Sequence, residues 1–243
     1  MGRQLFESLL DKCVISEEDL IDLVAGRPRA RIQTLNLHHF ALAKRTGSFA
    51  DVTKAADYVT ADGWPIVSAL RGLGLQTDRV TGSEFTQRLF TDSRLRDLRI
   101  GLLGAAETVG SDFDKKLSAA GVKLVFREHG SRSEWIPKAI SEALSSASVD
   151  LLLVAVTPPF GDEIGNAIHE AGFPGTVMAV GGAVDMVVGA RKAAPSLIRS
   201  LNVEWVFRLA QEPRRLFSRY ILLCLPVFVT DVLPLALRGL PRK

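Results

Sequence analysis

Short continuous apolar runs alternate with amphipathic stretches along most of this chain. "ARIQTLNL" reads as a buried strand, and "ADYVTADG" as a short strand entering an Asp-Gly turn. "WPIVSALRGLG" reads as a helix stopped by glycine. "LRIGLLGA" is an apolar strand, "DFDKKLSAAG" a helix, "VKLVFREHG" a strand and "SEWIPKAISEALSSA" a helix. In that last helix Ile136, Ile140 and Leu144 recur every four residues and predict one apolar face. Strand "VDLLLVAVTPP", helix "GDEIGNAIHEAG" and strand "TVMAVGGAV" follow. Uninterrupted apolar strands separated by helices predict an α/β, Rossmann-like fold. Its mainly parallel sheet would be covered by helices on both faces.

Ligands of such sheets bind beyond the carboxyl ends of the strands. That rule singles out Thr34 and Asn36, Asp62 and Gly63, Gly104, Pro158 to Asp162, and Gly181 to Asp185. Glycines and acids dominate this set, which suits a nucleotide or sugar ligand. Asp62 has two readings. Asp-Gly is a common turn pair, and a carboxylate at a cleft mouth is also a suitable base for a sugar hydroxyl. "IGLLGAAE" offers Gly101 and Gly104 as a phosphate loop, but it lacks the G-x-G-x-x-G spacing of a dinucleotide site. A nucleotide-dependent dehydrogenase is therefore disfavoured. Asp112 and Asp114 form a D-x-D pair, better explained as acids opening a helix behind Ser111 as its N-cap. His38 and His39, adjacent in an extended segment, would point to opposite faces, one packed and one solvated. Arg79, ahead of a helix start, is either a surface charge or a phosphate clamp.

The 243 residues suffice for one large domain, or for a domain with an appendage. Hydrophobic content of 47% and charged content of 23% are ordinary for a globular protein. The net charge of +3 is unevenly placed. Leu201–Lys243 holds seven basic and three acidic residues, so it carries +4 and the first 200 residues carry −1. A basic tail predicts an anionic partner. Two distant cysteines, Cys13 and Cys224, suggest neither a disulfide scaffold nor a zinc site. The four histidines form no spaced ligand set, so no metal and no cofactor is expected. Acids in "MGRQLFESLLDK" argue against a signal peptide and for a cytoplasmic protein.

The tail also explains its own composition. In "NVEWVFRLAQEPRRLFSRY" Arg208, Arg215 and Arg219 would share one side if the segment stays helical past Pro213. Trp205, Leu209, Leu216 and Tyr220 would form an apolar stripe beside them. The greasy run from Ile221 is interrupted by Pro226 and Asp231, so it is expected to lie on a membrane without crossing it. Residues 1–200 thus read as the α/β unit and 201–243 as a helical, basic, membrane-docking appendage. A chain ending near Ser200 keeps every predicted strand and is expected to fold.

These pieces resemble a known family. "TLN", "ADG", "RVTGSEF", "VGGAVDMVVG", "AAP" and the E-W-x-x-R-L-x-x-E-P-x-R-x-x-x-R-Y run fall in the order found in the WecG/TagA/CpsF family of bacterial glycosyltransferases. The resemblance spans Arg31 to Tyr220. It implies inverting, metal-independent transfer from a UDP-sugar donor to a polyprenyl-diphosphate-linked sugar. The transfer would occur at the inner membrane face, in exopolysaccharide, capsule or related envelope polymer synthesis. It implies Asp62 as base, with Thr34 and Asn36 near sugar and phosphate. It puts Arg79 on phosphate, Gly104 and Asp185 at the nucleotide, and Arg208, Arg214, Arg215 and Arg219 in the membrane-targeting segment. Partners would be the donor, the lipid-linked acceptor and an anionic membrane surface, with no nucleic acid; a homo-oligomer stays open. The donor sugar stays open among glucose, N-acetylmannosamine and its uronic acid. Two departures stand out. "PFGD" replaces the usual P-K-Q-E, leaving Gly161 at the glutamine position, and "AAP" replaces R-A-P, with Arg191 and Lys192 nearby as substitutes. They keep a second reading alive, a catalytically impaired relative serving as membrane-bound partner in a polysaccharide assembly complex.

Overall fold

A computed structural model describes residues 2–130, 134–191 and 204–239. Its centre is a seven-stranded, all-parallel sheet in the order β1-β3-β2-β7-β6-β4-β5. The strands are β1 (Cys13–Val14), β2 (Ala30–Leu35), β3 (Tyr58–Ala61), β4 (Arg99–Gly104), β5 (Lys123–Glu128), β6 (Leu151–Ala155) and β7 (Thr176–Ala179). Strands β2 and β7 are buried along their whole length, and β2 buries Arg31, Gln33 and Thr34 along with its apolar residues. Edge strand β5 alternates exposed and half-buried positions and carries charges that blunt the edge. The α/β, parallel architecture read from the sequence is the one observed.

The helices before the C-terminal region are α1 (Gly2–Glu7), α2 (Glu17–Ala25), α3 (Leu37–Arg45), α4 (Gly47–Lys54), α5 (Trp64–Gly72), α6 (Gly82–Arg88), α7 (Glu107–Ala119), α8 (Pro137–Ser146), α9 (Phe160–Glu170) and α10 (Ala183–Val187). Three local expectations change. Helix α7 starts five residues before Asp112, so Ser111 is no cap; Asp112 instead pairs with Lys115 at 2.9 Å on the exposed face. Ile136 is the residue before α8 and is 64% exposed, so the apolar face is carried by Ile140 and Leu144. The strand reading of "TLNLHH" also ends too late. Asn36 leaves β2 and caps α3, so both histidines lie in the first turn of a helix.

The C-terminal region breaks at Glu212, whose φ of −132° and ψ of 60° are not helical, just ahead of Pro213. Arg208 therefore does not share one continuous helix with Arg215 and Arg219, which both follow the break. Helix Glu204–Gln211 and the short Pro213–Phe217 are followed by a longer helix, Ser218–Ala236. Pro226 and Pro234 do not end it. The missing donor and the ring clash at each proline are absorbed by wider, π-type turns over Ser218–Cys224 and Phe228–Val232. By length and composition alone this 19-residue helix suffices to cross a membrane, with a mean hydropathy of 1.7.

One face of that helix belongs to the core. Cys224, Val227, Val232 and Leu235 pack with Phe6, Phe40, Ile66 and Leu70. Gly72 allows the approach, because a Cβ there would run into the Leu235 carbonyl. Lys44 pairs with Asp231, and Trp64 meets Phe228 edge-on at 5.2 Å. The other face carries Leu222, Leu225 and Val229, at 67%, 48% and 51% exposure.

Candidate active site

A cavity of about 430 Å³ opens at the carboxyl ends of β2, β3 and β7. Asp62 sits on its floor. The end of β3 is tied to β2 by the Asp62 N–H bond to the Leu35 carbonyl, 2.9 Å. Gly63 follows at φ +103°, a turn that favours glycine, and α5 starts at once. The Asp62 carboxylate accepts from Asn36 Nδ2 at 3.4 Å. Asn36 is fixed in turn. Its Oδ1 accepts from the backbone N–H groups of His38 (3.0 Å) and His39 (3.2 Å), capping α3. With the oxygen so engaged, the amide can only turn its NH₂ towards Asp62.

His39 completes the cap from the other side. Its Nδ1 accepts from the Asn36 N–H at 3.3 Å. Its Nε2 lies 3.2 Å from Asp162 Oδ2, in the first turn of α9. Both side chains are buried, at 5% and 1% exposure, and both border the cavity. His38 lines the same cavity, so the two histidines do not face opposite ways. Burial, then the Arg219 charge and His39, push the His38 imidazole down to about 3, so it is neutral at ordinary pH. Thr34 donates to the Ala179 carbonyl at 3.0 Å and lines the cavity. Arg79 enters beside Thr81 and pairs with Glu84. Arg219 lies across the cavity from the sheet, at the start of the long C-terminal helix. Beyond it Tyr220, Leu225 and Phe228 make an apolar wall.

A second cavity of about 340 Å³ adjoins the first, sharing Val156, Thr157, Gly181, Gly182 and Arg191. Gly104 and Asp185 line it. Gly104 has φ +88°, and a Cβ there would stand 2.5 Å from Val156 Cγ2. Trp135 and Phe160 form a parallel stack at 5.9 Å along its rim. Gly161 lies under the same loop. A Cβ at that position would run into the Val156 carbonyl, so this backbone has no room for any side chain there.

Thr34, Asn36, Asp62, Arg79 and Arg219 thus meet in one cavity, with Gly104 and Asp185 in its neighbour. Arg214 is exposed. The side chains of Trp205, Arg208 and Arg215, and all of Lys192 and Ala193–Pro195, lie outside the described residues. Arg191 borders both cavities. The sequence reading took His39 only as a packed or solvated ring, grouped Phe160 and Asp162 with the strand ends without giving them a role, and missed Trp135. "N-L-H-H" after a strand carried a signal for the first, since an asparagine in that place caps a helix.

The profile described as glycosyl transferase WecG/TagA/CpsF family matches residues 9–240. Among curated proteins, N-acetylglucosaminyldiphosphoundecaprenol N-acetyl-beta-D-mannosaminyltransferases of Staphylococcus aureus are similar to this chain. Those of strains MRSA252 and MW2 are each 26% identical over 187 residues, covering 76% of this chain and 72% of theirs.

Proposed function

The chain belongs to the WecG/TagA/CpsF family of glycosyltransferases, and from that premise we propose that it transfers a sugar from a UDP donor to a polyprenyl-diphosphate-linked acceptor, with inversion and without a metal. The observation that carries this reading is the Asp62 carboxylate, oriented by Asn36 on the floor of a cavity with one cationic and one apolar side.

In this reading the nucleotide occupies the cavity of Gly104 and Asp185, with the Trp135–Phe160 stack at its rim. Its diphosphate reaches the junction where Arg191 borders both cavities, with Arg79 and Arg219 beyond. The acceptor hydroxyl attacks the anomeric carbon from the Asp62 side and gives its proton to Asp62. The bond from the anomeric carbon to the diphosphate breaks, and UDP leaves with the electron pair. One displacement inverts the centre. Arginine forks stabilise the charge that develops on the leaving group. The prenyl chain follows the wall of Tyr220, Leu225 and Phe228 out to the exposed face of the Ser218–Ala236 helix. That face and the +4 charge of 201–243 hold the protein on the inner leaflet. Residues 1–200 would carry the base and the nucleotide cavity, and 201–243 the docking, with Arg219 reaching back to the diphosphate. The names of the S. aureus relatives make UDP-N-acetylmannosamine the first donor to assay.

Asp62→Asn keeps the shape and removes the accepting charge. Turnover should fall about 10²–10⁴-fold, the usual worth of a general base, while the wild type keeps its rate in EDTA. Near-normal turnover in a folded Asp62→Asn protein would end the assignment, and an EDTA-sensitive rate restored by manganese would end the metal-free mechanism.

A further inference from the structure

We infer that His39 is a positioning residue for this reaction, clamped by Asp162 so that Asn36 holds Asp62 in line; the inference rests on the reading of Asp62 as the base. The two members of the clamp are 123 residues apart and come from different halves of the sheet. His39 belongs to α3, after β2, and Asp162 to α9, after β6. The contact therefore ties the helix behind the base to the loop Val156–Pro158, which lines the cavity from the other side.

The hydrogen-bond directions define a single chain. Asn36 N–H donates to His39 Nδ1, so that nitrogen carries no proton. The ring proton then sits on Nε2 and points at Asp162 Oδ2. The ring also stacks on buried Phe49, with centroids 6.2 Å apart and planes 16° from parallel, which fixes its remaining rotation. From Asn36 the chain continues through Nδ2 to Asp62. Removing the imidazole deletes one half of the cap at the residue that aims the base. Small losses of aim at a reacting group cost about 10²-fold, whereas substrate contacts elsewhere in the cavity are untouched. Asp162 has a further feature that a packing role does not require. Among the described residues its Oδ1 is buried without a hydrogen-bond partner, in a side chain that borders the cavity. Such a group calls for an explanation. Holding the imidazole in one tautomer accounts for the carboxylate's presence, and the start of α9 provides a favourable end of the helix dipole for its charge.

Four full-length variants test this: His39→Ala, Asp162→Ala, Asp162→Asn, and His39→Ala in an Asp62→Asn background. Turnover is measured with UDP-N-acetylmannosamine and prenyl-diphosphate-linked N-acetylglucosamine, and UDP binding by calorimetry. The expected result for His39→Ala is a kcat loss of about 10–100-fold with UDP affinity unchanged. Asp162→Ala should follow it in direction, and Asp162→Asn, which still accepts from Nε2–H, should recover most of the loss. Against Asp62→Asn, His39→Ala should cost nothing more, because its effect passes through the base. An equal loss in both backgrounds, or a loss of UDP affinity that tracks kcat, would overturn the inference. An active Asp62→Asn protein would sink the base assignment instead, so the two failures are distinct. Should His39→Ala not fold, the Asp162 pair carries the test. Nitrogen-15 shifts of the wild-type imidazole supply a readout free of the assay: His39 must be the Nε2–H tautomer, and a mixture or the opposite tautomer overturns the clamp.

Discussion

The two faces of the Ser218–Ala236 helix should separate under mutation into stability and membrane binding. Deleting everything after Ser200 removes Val227, Val232 and Leu235 from the cluster around Phe6, Phe40, Ile66 and Leu70. Each buried aliphatic side chain is worth about 1.5–3 kcal/mol. Three of them amount to about 5–9 kcal/mol, before counting Cys224 and the surface of α1, α3 and α5 that becomes wet. Whole domains are stable by about 5–15 kcal/mol. The truncated chain should therefore lose most of its stability, contrary to the expectation that a complete set of strands is enough. Leu222→Ser with Val229→Ser perturbs the opposite face, where exposure is 67% and 51%. Surface changes of that kind usually stay within about 0.5 kcal/mol, so the urea midpoint should hold. Lipid affinity should not hold. If both side chains enter the headgroup boundary, their loss costs about 2–4 kcal/mol of partitioning, or more than tenfold in vesicle binding. Urea titration followed by far-ultraviolet circular dichroism, which reports on the sheet and helices common to both chains, reads the first effect. Flotation with anionic vesicles reads the second. An unchanged urea midpoint in the truncated chain, or unchanged flotation of the double variant, would refute the division of the helix into these two faces.

Two further outcomes follow from the site. Gly161→Gln, which restores the usual family residue, should lower turnover, since its Cβ meets the Val156 carbonyl and must push the start of α9, and Asp162 with it; a gain in turnover would show that the loop accommodates the side chain. His38 is held neutral in the folded protein down to about pH 3, whereas an unfolded histidine takes up its proton near 6.5. The unfolded chain therefore binds more protons between those values, so stability falls as pH drops below about 6.5 and this contribution levels off near 3. His38→Gln should flatten that part of the stability curve, and an unaltered slope would show that the burial and the Arg219 charge at this ring do not govern it.

The sheet was legible because its central strands are buried on both faces, and β4, β6 and β7 announce that with largely apolar runs, whereas β2 also buries Arg31, Gln33 and Thr34. Carboxyl-end residues of such strands must converge, which is why Thr34, Asp62 and Gly181 could be grouped before any geometry was known. Helix starts were less legible where the cap is a side chain in tertiary use. Asn36 looked like the end of a strand because its capping role depends on where the chain turns, and two histidines were misassigned with it. Helix α7 begins at Glu107 without any side-chain cap, so no residue marks the place. Proline misled in both directions: Pro213 does break the C-terminal path, while Pro226 and Pro234 each follow a π-type turn within a helix held by core contacts.

The role of Asp162 was the least legible, although the strand-end rule had grouped it with the cavity residues. Read along the chain it is an acid in the first turn of a helix, a place where acids are common for local electrostatic reasons. Nothing local distinguishes it from the neighbouring Glu163. The difference is made by the sheet order, which sets β7 between β2 and β6 and so brings the start of α9 against the start of α3. Only then does one of two adjacent carboxylates become buried to 1% exposure and face an imidazole. Strand-end motifs therefore nominate the groups that touch a ligand. The groups that aim them are set by which crossovers the topology makes adjacent, and a single chain read in order carries no direct trace of that adjacency.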